Sequence, residues 1–325
     1  MSEPSILDLT FRGNKLVQSA DEIGELRRSD DAADDREELH RRLDEDGYLF
    51  VPGALDHDEV MDARLEVLRR LDGAGFVDSV NHPLIEGHYK EGGQMGGYGF
   101  LTEDNAPLHK VLYSGRMMQF HEFFQGGPIR HYDHTWYRVK TPGPGGPTTP
   151  HYDVVYMGRG TKKLLTSWTP MGDCSYDMGG LIVLEGSHKL EALKNSYGST
   201  DVDAYCENTS APDAKEIIEG AKAEGRGLNA EERHKIEWNS TGAYSSDAIE
   251  VKNELGGRWL SAEFKAGDLL VFCIYLMHGS ADNRSSLLRL STDSRYQLAS
   301  EPIDDRWIGE EPYGHGIEGK KGMIC

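Results

Sequence analysis

From about residue 130 the chain breaks into short, β-prone apolar runs, and this punctuation constrains the fold more than any other feature. The runs cover 135–139, 154–157, 164–169, 181–184, 259–264, 269–276 and 287–291, with Gly, Pro, Asp or Asn between them. Many short strands separated by turn signals predict a sandwich or jelly roll. The texture upstream differs. Residues 35–43 mix charge signs at helical spacing and stop at Gly47, and 48–52 is a short strand ended by Pro-Gly. Asp56 and Glu59 resemble a capping pair opening a helix whose Val60, Ala63, Val67, Leu68 and Leu71 share one face. A further helix is predicted over 107–124.

Residues 190–257 interrupt the β region with polar, partly helical sequence (214–225 and 229–237) and no strand pattern, and read as an insertion or lid. The glycine-rich stretch 91–99 lacks the helix-opening context of a phosphate loop and is expected to be a mobile loop that closes over substrate with the insertion. The expected organisation is one domain over 1–325. A mainly helical support (1–129) flanks a mainly β core (130–189 and 258–298), with the insertion between the core halves and a C-terminal tail (299–325).

The charge balance narrows the partners. Of 325 residues, 35 are Lys or Arg and 55 are Asp or Glu, a net charge of −20. That argues against nucleic acid and against an anionic membrane surface, both of which need clustered cations. The acidity is uneven: 20 acids and 10 bases fall in 1–75, 14 and 7 in 190–257, and 21 and 18 in the remainder. The β core is close to neutral, so a small-molecule substrate with an anionic group stays open. No apolar run reaches the 18–20 residues of a membrane span. The start, Met1-Ser2-Glu3-Pro4, carries no basic-then-apolar leader. Cys174, Cys206, Cys273 and Cys325 lack CxxC spacing, so free, reduced thiols and a cytoplasmic location are expected. Nothing in the sequence bears on oligomeric state.

The chemistry lies in spacing. His151 and Asp153 stand two apart where Pro150 ends a loop, so in a strand they face one side. His278 follows the strongest apolar run. Two His and one carboxylate with open positions is the facial arrangement of non-heme Fe(II) oxygenases. Beyond it, Arg289 and Ser291 share a strand face. A guanidinium inside a β core needs an anion, and a dicarboxylate could chelate the metal with one end and meet Arg289 with the other.

These motifs occur in a recognisable order: Pro150–Asp153, Trp168-Thr169-Pro170-Met171-Gly172-Asp173, Gly180–His188, Gly267–Phe272 and His278–Asn283. Together with the strand opening at Asp46-Gly47-Tyr48, they resemble the phytanoyl-CoA dioxygenase family of Fe(II)/2-oxoglutarate oxygenases, across about 35–297. The resemblance implies a double-stranded β-helix (jelly-roll, cupin-like) core. It implies His151, Asp153 and His278 as iron ligands and as the catalytic centre, with 2-oxoglutarate and O2 as co-substrates. It also implies Arg289, Ser291 and Trp168 for 2-oxoglutarate, with a looser match at Trp136. The implied activity is hydroxylation of a small or medium organic molecule with release of succinate and CO2; the retained Asp153 disfavours halogenation. Glu185, where the family commonly has Pro, is a departure expected to change a turn.

Simpler readings stand beside these. His131-Tyr132-Asp133, with His134 next to it, repeats the tripeptide 20 residues earlier; the metal is assigned to the second copy by its motif context. His188 is expected to cap backbone groups, and Cys273 to be a core residue. Arg289 could instead pair with Asp293 or Asp268, leaving Arg295 as the co-substrate's partner, and Trp168 could be simple core. Arg138 and Arg159 are candidates for an anionic substrate group. The alternative function is a cupin-like metal-binding or small-molecule-binding jelly-roll protein without turnover, which has no need of Arg289.

Overall fold

The computed structural model describes residues 8–16, 19, 22–94, 99–208, 212–236 and 242–325. Positions 95–98 of the glycine-rich stretch and Glu237 of the expected 229–237 helix therefore lie outside the described residues.

Ten strands build the two larger sheets: β1 (Ile23–Glu25), β2 (Tyr48–Val51), β3 (Ile129–His131), β4 (Trp136–Lys140), β5 (Leu165–Pro170), β6 (Leu181–Leu184), β7 (Trp259–Ser261), β8 (Leu269–Cys273), β9 (His278–Ser280) and β10 (Arg289–Leu298). The six-stranded sheet runs β2-β8-β5-β10-β3, with β4 also pairing β10. The four-stranded sheet runs β9-β6-β7-β1. All of these pairs are antiparallel except β7 with β1.

β2, β6 and β8 are apolar on both faces because both faces are covered. In the six-stranded sheet Leu49, Val51, Leu269 and Val271 point outward to the helices α1 (Arg36–Asp46), α2 (His57–Gly73), α3 (Ala106–Tyr113) and α4 (Gly115–Gln125). Their neighbours Tyr48, Phe50, Trp168, Leu270 and Phe272 point inward and meet Leu181, Val183 and Leu260 of the smaller sheet. The far face of that sheet, Ile182, Leu184 and Trp259, is covered by Leu193, Ala248 and Val251 from the 190–257 segment.

Several local expectations change. The 107–124 helix is two, broken at Ser114, which adopts extended backbone before Gly115 at φ 53°. Residues 154–157 form a helical turn, α5 (Val154–Met157), because Asp153 is already in the right-handed helical region. The last predicted strand is shifted and longer, reaching Leu298, since β10 pairs with three partners. The 190–257 segment contains a short strand, Ala204–Cys206, parallel to Lys321–Met323. That pairing brings Cys206 to Cys325, which form a disulfide 119 residues apart in sequence, against the expectation of four free thiols. Spacing could not reveal it, because the register of two distant strands creates it. Cys174 and Cys273 are free. Among the described residues no helix is long and apolar enough to cross a membrane.

Candidate metal centre

His151 and His278 are an antiparallel bridge pair, each backbone N–H donating to the other's carbonyl at 3.0 and 3.1 Å. This pairing holds the loop before α5 to the start of β9, so two imidazoles 127 positions apart share one site. Tyr152, between the ligands, points away and donates from its hydroxyl to Ser187 O at 2.6 Å. The turn at Asp153, rather than strand alternation, returns its carboxylate to the same side as His151.

Ligand atoms of His151, Asp153 and His278 all lie within 4.8 Å of one another, and all three residues are buried. The Nε2 atoms stand 3.5 Å (His151) and 3.8 Å (His278) from Asp153 Oδ1. Each Nδ1 faces a backbone carbonyl, Thr149 O at 2.8 Å and Leu276 O at 3.0 Å, respectively. A carbonyl only accepts, so both Nδ1 atoms carry a hydrogen, and Nε2 is the atom each ring presents toward Oδ1, as a metal ligand requires. Burial brings His278 down to about 4, so it is neutral at pH 7.

The second carboxylate oxygen is occupied. Asp153 Oδ2 accepts from Arg295 Nη2 at 3.0 Å and from Thr166 Oγ1. Burial alone would raise this carboxyl, but Arg295, His278 and His151 outweigh it and hold it well below its usual range. One oxygen is left for an ion, and the donor set of two imidazoles and one carboxylate fits a facial triad with open positions.

The pocket beside this group is lined by Arg138, Thr148, Trp168, Leu181, Ser280, Arg289, Asp293 and Arg295, along with the two histidines. Arg289 is buried, donates to Ser291 Oγ at 2.6 Å, and leaves Nε without a partner. Neither alternative carboxylate takes it: Asp293 pairs with Arg138 at 2.8 Å, and Asp268 accepts from the backbone of Gly53 and Lys265. Arg295 is engaged at Asp153 and stacks over Trp136 at 4.4 Å, so it is not a spare anion receptor. Trp168 is fully buried between the sheets, with Arg289 5.9 Å above its ring.

Other candidates go elsewhere. Arg159 binds Asp201 at 2.7 Å and does not line the pocket. His131 stacks on Tyr113, and Asp133 accepts from Gly309 N–H at 2.7 Å; among the described residues this copy gathers no third ligand. His134 packs against Trp136 and Trp307. His188 reaches Asp44 O at 3.2 Å. Glu185 forms a two-pronged pair with Arg258. A second metal-capable group, His82, Glu86 and His88, sits at the surface with its two imidazoles stacked.

Reading the sequence missed Arg295 and Thr166 as the holders of Asp153, and Thr148 and Ser280 as pocket walls. The alternation Arg289, Ser291, Asp293, Arg295 places all four on one face and was a usable signal.

The phytanoyl-CoA dioxygenase (PhyH) family model matches residues 43–291. The chain is 26% identical over 278 residues to a 1-deoxypentalenic acid 11-beta-hydroxylase of Streptomyces exfoliatus, covering 82% of this chain and 83% of that one. Among solved structures it resembles the non-heme alpha ketoglutarate dependent carbocyclase SnoK from nogalamycin biosynthesis (17% identity, 86% and 89% covered, TM-score 0.53). It also resembles the epimerase SnoN in complex with Fe3+, alpha ketoglutarate and nogalamycin RO (20% identity, 85% and 92% covered, TM-score 0.51).

Proposed function

The chain belongs to the phytanoyl-CoA dioxygenase family of Fe(II)/2-oxoglutarate oxygenases, and from that premise we propose that it hydroxylates a small or medium organic molecule. His151, Asp153 and His278 would hold Fe(II), leaving positions for the 2-oxo acid and O2. When bound, iron supplies the oxidising chemistry: 2-oxoglutarate loses CO2 to become succinate, one O2 oxygen entering succinate and the other the substrate C–H bond. The protein's part is orientation and exclusion of water. Arg289 and Ser291 would take the far carboxylate, with Trp168 and Trp136 as flat walls.

The observation that carries this reading is Arg289, buried, unpaired by any carboxylate among the described residues, and lining the same pocket as the two ligand histidines. A metal-binding jelly roll without turnover has no use for it. Substrates named for the relatives, 1-deoxypentalenic acid and nogalamycin compounds, favour a small-molecule substrate. Arg138, half-exposed at the pocket, is the candidate contact for an anionic group. We read the two sheets as a double-stranded β-helix within one domain. The 190–257 segment is its lid; Tyr244 N–H already bonds Pro150 O, next to His151, at 2.8 Å.

Anaerobic addition of 2-oxoglutarate to the Fe(II)-loaded protein should give a weak visible charge-transfer band, and succinate should be released across a panel of organic acids and terpenoids. Absence of both the band and any 2-oxoglutarate-induced thermal shift would reject the oxygenase.

A further inference from the structure

A second cation stands beside Arg289. Lys140 ends β4 directly opposite Arg289 on β10, and the register continues with Arg138 opposite Ser291. Cross-strand partners share a sheet face, so Lys140, Arg138, Arg289 and Ser291 all line the inner side. Lys140 is half-buried, and among the described residues its ammonium bonds only a backbone carbonyl, Gly146 O, in the 141–149 loop. Among the described residues neither Lys140 nor Arg289 forms an ion pair; the nearby carboxylate, Asp293, belongs to Arg138. Two adjacent, enclosed cations without a counter-charge repel each other and are poorly solvated, an arrangement that an incoming anion relieves.

Position along β10 indicates which anion. Arg289 opens the strand, and Arg295, which holds Asp153, is six residues further along. Lys140 is level with Arg289, which lines the pocket, and so lies on the side remote from Arg295 and the Asp153 it holds. We infer that Lys140 is a second anchor for the far carboxylate of 2-oxoglutarate, and that binding the co-substrate draws a proton onto it. This rests on the reading that Arg289 receives that carboxylate.

The charges facing Lys140 agree. Burial, then Arg289 across the sheet and Arg138 on its own strand, push the ammonium down to about 7, with Asp293 opposing them. The 141–149 loop carries no titratable side chain, and the Asn283 amide that reaches Lys140 O is neutral. Cys174, charge-coupled to Arg289, is held above its usual range by burial and stays a neutral thiol. Above pH 7 the free protein has therefore lost the Lys140 proton and must regain it to bind. Affinity should fall with rising pH, by about tenfold per unit at most for one proton.

The test is anaerobic titration of Fe(II)-loaded protein with 2-oxoglutarate between pH 6.5 and 9, followed by the charge-transfer band. Calorimetry at pH 8.5 in two buffers counts the protons taken up. Wild type should weaken toward tenfold per unit above pH 7 and take up close to one proton. Lys140→Met should bind on the order of tenfold more weakly at pH 7 and lose the pH slope, with Co(II) affinity unchanged; Lys140→Arg should bind without the slope. Wild-type affinity and slope in Lys140→Met, or no proton uptake by wild type, would overturn the inference. If Arg289→Ala meanwhile abolishes binding, the Arg289 reading survives alone. If Arg289→Ala also binds normally, both fall.

Discussion

Asp153 shows how one carboxylate is left with a single oxygen free to meet an ion. Thr166 and Arg295 occupy Oδ2, and Oδ1 is left facing the two Nε2 atoms. Arg295 and Asp153 are both buried, and removing one partner of such a pair strands the other charge. Arg295→Met should therefore destabilise the metal-free protein by about 3–5 kcal/mol in urea unfolding. Co(II) should recover part of that loss, since its charge replaces the guanidinium's; an equal loss with and without metal would show that Arg295 acts only through packing. The ligand residue types were legible in the sequence. The role of Arg295 was not, because strand parity says which residues share a face and not which partner each one meets.

At the level of elements, β9 is three residues long, yet it sets the site. Gly279 separates His278 from Ser280, and a Cβ there would lie 2.6 Å from Thr148 O, in the loop that carries His151. Only a residue without a side chain lets the two backbones approach closely enough for the His151–His278 bridge. Gly279→Ala should push them apart, weakening Co(II) binding about 10–100-fold, the scale seen when support around metal ligands is lost; unchanged affinity would mean the loop moves freely. Strand and helix identities came largely from local pattern. The exceptions occur where a local signal was overridden or outvoted. Val154 and Val155 are β-branched and open an apolar run, but they follow a helical Asp153, and Ser114-Gly115 breaks what periodicity alone made one helix.

For the molecule as a whole, the C-terminal tail is tied to the 190–257 segment by a buried charge cluster. Arg306 bonds Asp203 and Asp304, and His315 and Lys320 also reach Asp203. Burial alone would raise Asp203, but His315, Lys320 and Arg306 bring it down to about 2. A depressed carboxyl stabilises the fold above its unfolded value near 3.8 and loses that contribution as pH falls toward 2. Asp203 should account for about 2 kcal/mol of the stability lost between pH 4 and 2. Asp203→Asn should flatten that portion of the curve in urea unfolding, and an unaltered pH profile would count against the cluster as the acid-sensitive joint.

The sequence by itself determined most of the helices and strands, the spacing of the three metal-capable residues and the strand parity of Arg289. All of these follow from residue type, periodicity and turn chemistry over a few positions. Only the tertiary structure decided which arginine holds Asp153 and which is left for an anion, that Lys140 faces Arg289, why the His131 copy gathers no third ligand, and that Cys206 meets Cys325. Each depends on the register between segments far apart in the chain, and a single-residue shift in register would reverse it.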